Sequence, residues 1–264
     1  MKDKIYLSIF VTFFIIVFII ILSPLILLMI RGFPTILQCL ASEEVIFSIK
    51  MSLNTSLIST LICLFMAMPT AYFLSSREFR GKRFVSLLIY MPMSLPHLVS
   101  GIALLILCSN TLIFNWLSIK GIDFVFTKYG IVLAQVYVNL PFMIKILQEA
   151  FDERNNKMEL VARTLGCSKV KTFFYITLPL IKGGLVASII MTWCKALGEF
   201  GAVMMLAGTT RMKTEIMPTA IFLNVSTGDL DLALGIATIL IIISVASTLI
   251  FNMINRRRWK VKEQ

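Results

Sequence analysis

Three long stretches without a charged residue constrain this chain more than any other feature. They run over 5–30, 51–76 and 232–255, and none contains Asp, Glu, Lys or Arg. A helix of about 20 apolar residues crosses the hydrocarbon core of a bilayer. Because the backbone must satisfy its own hydrogen bonds inside lipid, continuous apolar stretches of this length predict transmembrane helices. The sequence therefore predicts an all-α, polytopic membrane protein.

The rest of the chain extends this prediction to about six transmembrane helices. Only 15% of the residues are charged, which is too few to cover the outside of a soluble domain. We expect a single transmembrane domain over 1–264, since no loop is long enough to form a second one. Pro92 and Pro96 fall within the third span and are interpreted as kinks, which membrane helices tolerate. The predicted spans are 5–30, 52–75, 84–108, 129–150, 179–207 and 232–254.

The net charge of +11 is explained by the distribution of basic residues between loops. With the N-terminus inside, the inside loops and termini carry 16 of the 25 Lys and Arg residues and the outside loops carry 6. This bias is the one that the positive-inside rule predicts for a protein with both termini in the cytoplasm. We therefore expect membrane lipid, and not nucleic acid, around this basic chain.

The cytoplasmic loop at 151–178 contains a short amphipathic helix. Asn156 is a candidate N-cap with Glu159 at the third helical position, and Gly166 suits a left-handed C-terminal cap. The helix carries apolar residues at helical spacing: Met158, Val161, Ala162 and Leu165. Three interpretations remain open at this point, namely docking on another protein, lying on the membrane surface, and a DNA-binding helix-turn-helix.

This loop resembles a motif of permease subunits in binding-protein-dependent ABC importers. The segment ELVARTLG at 159–166, followed by Phe173-Phe174 and Leu178-Pro179, is similar to their E-A-A-x-x-x-G loop. The resemblance covers roughly residues 50–254 and implies the type I importer permease fold. It also implies that the loop is a coupling helix held in a groove of the ATPase subunit. The coupling residues would be Glu159, Leu160, Val161, Ala162, Arg163 and Gly166.

The match differs from the family at one position, because Leu160 occupies the place of the motif's Glu. The chain also contains no G-x-x-x-x-G-K-[ST] phosphate loop, so we expect no ATPase activity and no cofactor in this chain. The resemblance implies that ATP binds to cytoplasmic ATPase subunits. Further expected partners are an extracytoplasmic oxyanion-binding protein and a second permease subunit, which we expect to be another copy of this chain.

The fifth span contains two charged residues that are costly inside a membrane. Lys195 and Glu199 are four residues apart, as neighbours on one helix face would be. They are interpreted either as part of the translocation path or as a neutralising structural pair, and each could instead have a partner on another helix. Gly198 and Gly201 flank the glutamate and permit close helix approach or a local break.

The residues around Glu199 carry the resemblance that points to a substrate. The segment ALGEFGAV at 196–203 is similar to molybdate, tungstate and sulfate permeases, and the continuation over 206–222 is most similar to the molybdate and tungstate branch. Sulfate or thiosulfate is the second choice, and a secondary transporter is the alternative of another class. His97, the single histidine, is interpreted as a packed, hydrogen-bonded residue and not as a metal ligand.

Overall fold

A computed structural model describes the backbone of residues 2–154 and 156–259, and the side chains of 9–114, 116–154 and 157–249. Every regular element in these ranges is helical. In chain order the helices are α1 (Lys2–Gly32), α2 (Ile36–Ala41), α3 (Glu43–Ser76), α4 (Lys82–Tyr90), α5 (His97–Asn110), α6 (Leu112–Ile119), α7 (Lys128–Asp152), α8 (Asn156–Thr164), α9 (Lys169–Thr172), α10 (Leu178–Leu180), α11 (Lys182–Leu197), α12 (Gly201–Ala207), α13 (Met217–Ser226) and α14 (Leu230–Trp259).

Four helices, α1, α3, α7 and α14, are each long and apolar enough to cross a bilayer unbroken. The three uncharged stretches are thus confirmed as helices. Helix α3 begins at Glu43, well before the predicted start at 52, and its first turns carry the charged residues Glu43, Glu44 and Lys50. Helix α1 contacts α14, but its most apolar window has no buried residue.

The central contact of the protein is the packing of α3 against α7. Small residues of α3 make this close approach possible, among them Cys63, Ala67 and Ala71, all fully buried. They meet large apolar side chains of α7 such as Met143 and Leu147. Small residues at helix interfaces are the usual solution in membranes, where van der Waals packing drives helix association.

The third predicted span is broken, so the interpretation of its prolines as kinks was wrong. Helix α4 ends at Tyr90, a 3₁₀ turn covers Met91–Ser94, and α5 begins at His97. The two parts form an angle of 108°. Pro96 explains the break, since a residue before proline is driven out of the helical region, and Leu95 is extended.

The fifth predicted span, 179–207, is also not one helix. The segment Lys169–Leu180 bends by 72° into α11, which ends at Leu197, and the chain turns at 198–200 before α12 begins. The described residues therefore contain four continuous helices and two bent pairs that are long and apolar enough to cross a membrane, or six candidate spans when each bent pair counts as one.

Helices α5 and α12, which follow the two breaks, pack against each other and against α7. Their shared core contains Leu104 of α5, Ala134 of α7 and Leu206 of α12. This packing brings residues about 100 positions apart in the sequence, at the starts of α5 and α12, into contact. The short helices α2, α6 and α13 lie in predicted connectors and were not expected from the sequence.

Candidate functional site

The predicted amphipathic helix of the cytoplasmic loop is present as α8, and Gly166 ends it as expected. Gly166 has a φ of +89°, a conformation that glycine adopts without steric cost. The amide of Cys167 donates to the Ala162 carbonyl at 3.0 Å, and that of Gly166 to the Arg163 carbonyl at 3.1 Å. These two bonds define a Schellman cap. The side chain of Ser168 then caps α9 by accepting from the Lys171 amide.

The start of α8 differs from the prediction. Asn156 is the first helical residue and not the N-cap; residue 155 and the Asn156 side chain lie outside the described residues. The Glu159 carboxylate does not form the expected capping box. It accepts instead from Nε of Arg154 at 2.7 Å and from the Thr177 hydroxyl at 2.6 Å. Glu159 is thus engaged within its own chain.

One side of α8 is apolar and uncovered. Met158, Val161 and Leu165 are 55%, 57% and 81% exposed, and we call these three residues the coupling face. Leu160 and Arg163 are exposed as well, whereas Ala162, which was predicted on the same face, is buried against the chain. An exposed apolar face on a capped helix is the arrangement expected of a helix that binds another protein in a groove.

A second candidate site lies where the two helix breaks meet. Glu199 is 2% exposed; its Oε1 accepts from the Ala202 amide at 3.1 Å, and its Oε2 lies 2.9 Å from Nδ1 of His97. Gly201 permits this contact, because a Cβ there would lie only 3.0 Å from the His97 Cβ and 3.1 Å from the Leu98 amide nitrogen. Glu199 therefore links the first turns of α5 and α12.

Lys195 and Glu199 have separate partners. The Lys195 ammonium lies over the Phe142 ring, 5.0 Å from its centroid, and forms no ion pair with Glu199. Of the readings left open by the sequence, the structure favours partners on other helices. Gly198 is the C-cap of α11, so the helical spacing that would have placed the two charges side by side is lost.

The outer stretch at 208–216 is largely engaged within the protein. Thr214 is buried and accepts from the Thr210 amide, while Arg211 forms an ion pair with Glu44 at 2.6 Å. Burial raises the pKa of the Glu215 carboxyl, and its hydrogen bond from the Met212 amide opposes this increase. Lys213 remains exposed at this end of the molecule.

Three residues of these sites were missed in the sequence. His97 had been interpreted as a packed, hydrogen-bonded residue without a named partner, and Arg154 and Thr177 had been given no role. Two of the contacts join distant positions, with 102 positions between His97 and Glu199 and 18 between Glu159 and Thr177, so no local spacing indicates those two. Pro96 was the signal that the sequence offered for His97. A proline directly before a histidine can mark the start of a helix, where the histidine side chain can contact residues at the break of another helix.

Comparison with known proteins agrees with this architecture. The molybdate/tungstate transport system permease protein of Methanocaldococcus jannaschii is 32% identical over 246 residues, covering 93% of this chain and 95% of that protein. The molybdenum transport system permease protein of Mycobacterium tuberculosis is 31% identical over 223 residues, or 84% of each chain. The fold matches a bacterial ABC transporter involved in the import of the acidic polysaccharide alginate, with a TM-score of 0.78, 22% identity and 97% of both chains covered.

Residues 61–260 match the family described as binding-protein-dependent transport system inner membrane component. That range includes α8 and both helix breaks. The candidate membrane-spanning helices agree with this family, and so does the match to a relative of nearly equal length. The chain belongs to the family of inner membrane components of binding-protein-dependent transport systems, the permeases of type I ABC importers.

Proposed function

We propose that this chain forms the transmembrane path of an importer for a tetrahedral oxyanion, with molybdate or tungstate as its cargo. The observation that carries this proposal is the similarity of nearly the whole chain to permeases named for molybdate and tungstate, at 32% identity in the longest of these matches. The segment at 196–203 around Glu199, from which the sequence predicted this branch, forms the break between α11 and α12.

Transport by this chain is driven by a separate cytoplasmic ATPase that binds the coupling face. The support is physical: α8 is capped at its C-terminus and exposes apolar residues on a short helix that is unstable alone in water. The Glu159 carboxylate faces inward, and Leu160, at the position of the family's Glu, is 60% exposed. Apolar contacts therefore dominate the docking of α8 in this proposal.

The remaining partners follow from the same proposal. An extracytoplasmic oxyanion-binding protein delivers the anion to the outer connectors, and a second copy of this chain completes the path. The Glu199 carboxylate would repel an anion if it were exposed to the path, but here it is 2% exposed, accepts from the Ala202 amide and lies 2.9 Å from Nδ1 of His97. The translocation path binds the anion weakly enough to release it, and the extracytoplasmic binding protein supplies the high affinity.

The proposal requires both termini and α8 to lie in the cytoplasm. Reporter domains fused after Lys2, Gly81, Lys157 and Arg258 should read inside, and fusions after Glu43, Lys120 and Lys213 should read outside, because of the distribution of basic residues. The measurement is the activity of paired reporters that function on only one side of the membrane. An outside reading at Lys157 would contradict ATPase docking.

Uptake of labelled anions tests the cargo. Cells that lack this gene but contain the partner proteins should lose uptake of molybdate and tungstate at low concentration and keep their sulfate uptake. Deletion of the ATPase gene should cause the same loss, because the chain has no phosphate loop of its own. Loss of sulfate uptake alone would show that the branch assignment is wrong. Uptake that survives ATPase loss but collapses with the ion gradient would instead indicate a secondary transporter.

A further inference from the structure

Arg154 occupies an unusual position at the cytoplasmic end of the helix bundle. It follows α7 directly, yet its side chain is only 4% exposed. Its guanidinium donates to the Phe151 carbonyl at 2.7 Å and to the hydroxyls of Ser75 and Ser76 at 3.1 and 2.9 Å. It also lies 5.4 Å from the centroid of the Tyr72 ring. Arg154 therefore fixes the ends of α3 and α7 to each other.

The remaining bond of Arg154 reaches α8. Its Nε donates to Oε1 of Glu159 at 2.7 Å, and that same oxygen accepts from the Thr177 hydroxyl at 2.6 Å. Thr177 is fully buried and ends a π-helical turn, Phe173–Thr177, which leads through α10 into α11. One carboxylate thus connects the coupling helix to the ends of two spans and to the start of a third.

The hydrogen bonds of Glu159 join α8 to α7 and α11 by a shorter route than the backbone does. By sequence, α8 joins α7 only through the turn after Asp152, and it joins α11 only through the Gly166 cap, α9 and the π-turn. A π-turn is a frequent feature of functional sites and interrupts the regular hydrogen bonding of a helix. Charge-assisted hydrogen bonds are short and geometrically specific, so we expect the groups that this linkage joins to move together.

We propose that the Arg154–Glu159–Thr177 linkage transmits displacement of the coupling helix to the fifth span. The proposal rests on the proposed function, in that α8 is taken to dock on an ATPase. Arg154 and Glu159 act as positioning residues: neither touches the transported anion, and Glu159 faces away from the docking partner. Loss of the linkage leaves ATP hydrolysis intact and disconnects it from transport.

The test uses the full chain reconstituted in liposomes with its ATPase and binding protein, and measures labelled molybdate imported per ATP hydrolysed. Glu159→Ala should lower this ratio by about fivefold or more, in the range of typical coupling between sites. Thr177→Val, which keeps the size of the side chain, should lower it in the same direction. The double variant should be no worse than Glu159→Ala alone, because both changes break one linkage.

Two further variants separate this role from a merely structural one. Glu159→Gln retains an oxygen acceptor and should restore most of the ratio, and Arg80→Ala, which removes an exposed arginine from the same side, should leave it unchanged. Unchanged ratios in both Glu159→Ala and Thr177→Val would overturn the proposal. So would loss of ATPase copurification in Glu159→Ala, which would place Glu159 in the docking contact. If the wild-type chain copurifies with no ATPase, the proposed function itself fails, before any variant is compared.

Discussion

Replacement of Gly166 by valine is expected to reduce ATP-driven anion uptake by about tenfold or more, while the protein still inserts into the membrane. Gly166 has a φ of +89°, and a β-branched residue in that region costs about 1–3 kcal/mol. Helix α8 has only nine residues and cannot absorb this cost, because a helix of that length is marginal by itself. Its coupling face should lose its orientation.

Asparagine at the same position is the matched control. Gly166→Asn should retain most of the uptake, since asparagine tolerates the left-handed conformation better than other residues with a side chain. No atom outside the immediate neighbours lies within 4 Å of a Cβ built at this position, so the comparison isolates backbone strain from steric collision. The measurements are membrane content, ATPase copurification and initial uptake rate. Normal copurification and uptake in Gly166→Val would contradict a coupling role for α8.

The parts of this fold that could be predicted from the sequence are those determined by local solvation. The uncharged stretches had to be helices, because lipid offers no hydrogen-bond partners to backbone N–H and C=O groups. A helix satisfies these groups within its own segment. The cap at Gly166 is likewise local, since it depends on one conformation and two backbone bonds within six residues. Both predictions are confirmed at the level of individual elements, with errors only in the positions of the ends.

Breaks within a span could not be predicted in the same way. No charged residue marks the break around Pro92 and Pro96, and a proline in an apolar stretch is compatible with a kink or with a break. Gly198 and Gly201 likewise permit either close helix approach or a break. The outcome depends on the packing of α5 against α12, which places the Gly201 backbone against His97. Such contacts become visible only when the chain is folded.

The same distinction between local and long-range contacts separates the parts of the candidate sites that could be predicted from those that could not. The apolar spacing of the coupling face is a property of one helix, and three of the four apolar residues predicted there are exposed, whereas Ala162 is buried. The linkage through Arg154 joins residues between 75 and 177, and no pattern in the sequence brings them together. The predicted capping box at Glu159 was wrong because a nearby arginine and a buried hydroxyl offered the carboxylate better-placed donors.

Removal of the Glu199 carboxylate is the second change for which we expect a large effect. In Glu199→Ala the buried amide of Ala202 loses its acceptor, and the imidazole of His97 loses the carboxylate that lies 2.9 Å from its Nδ1. A buried donor without a partner costs about 1–3 kcal/mol, so uptake should fall by about tenfold. The break between α11 and α12 should lose its attachment to α5.

The partners of Glu199 can be identified by two double-mutant cycles on the initial uptake rate. Glu199→Ala combined with His97→Ala should show an interaction of about 0.5–3 kcal/mol, because the two side chains are in direct contact. Glu199→Ala combined with Lys195→Met should be additive within about 0.5 kcal/mol. Methionine is the matched replacement, since it keeps an unbranched side chain beside Phe142 and removes only the charge.

The expected additivity has a geometric reason. A spacing of four residues pairs two side chains only within a continuous helix. Helix α11 ends at Leu197, so Glu199 lies in the break and points to the start of α12, whereas Lys195 remains on the helix over Phe142. Neutralisation of Lys195 therefore breaks no hydrogen bond or close ion pair of Glu199. Restoration by Lys195→Met of the uptake lost in Glu199→Ala would contradict this prediction. It would show that the two residues act as a neutralising pair during transport.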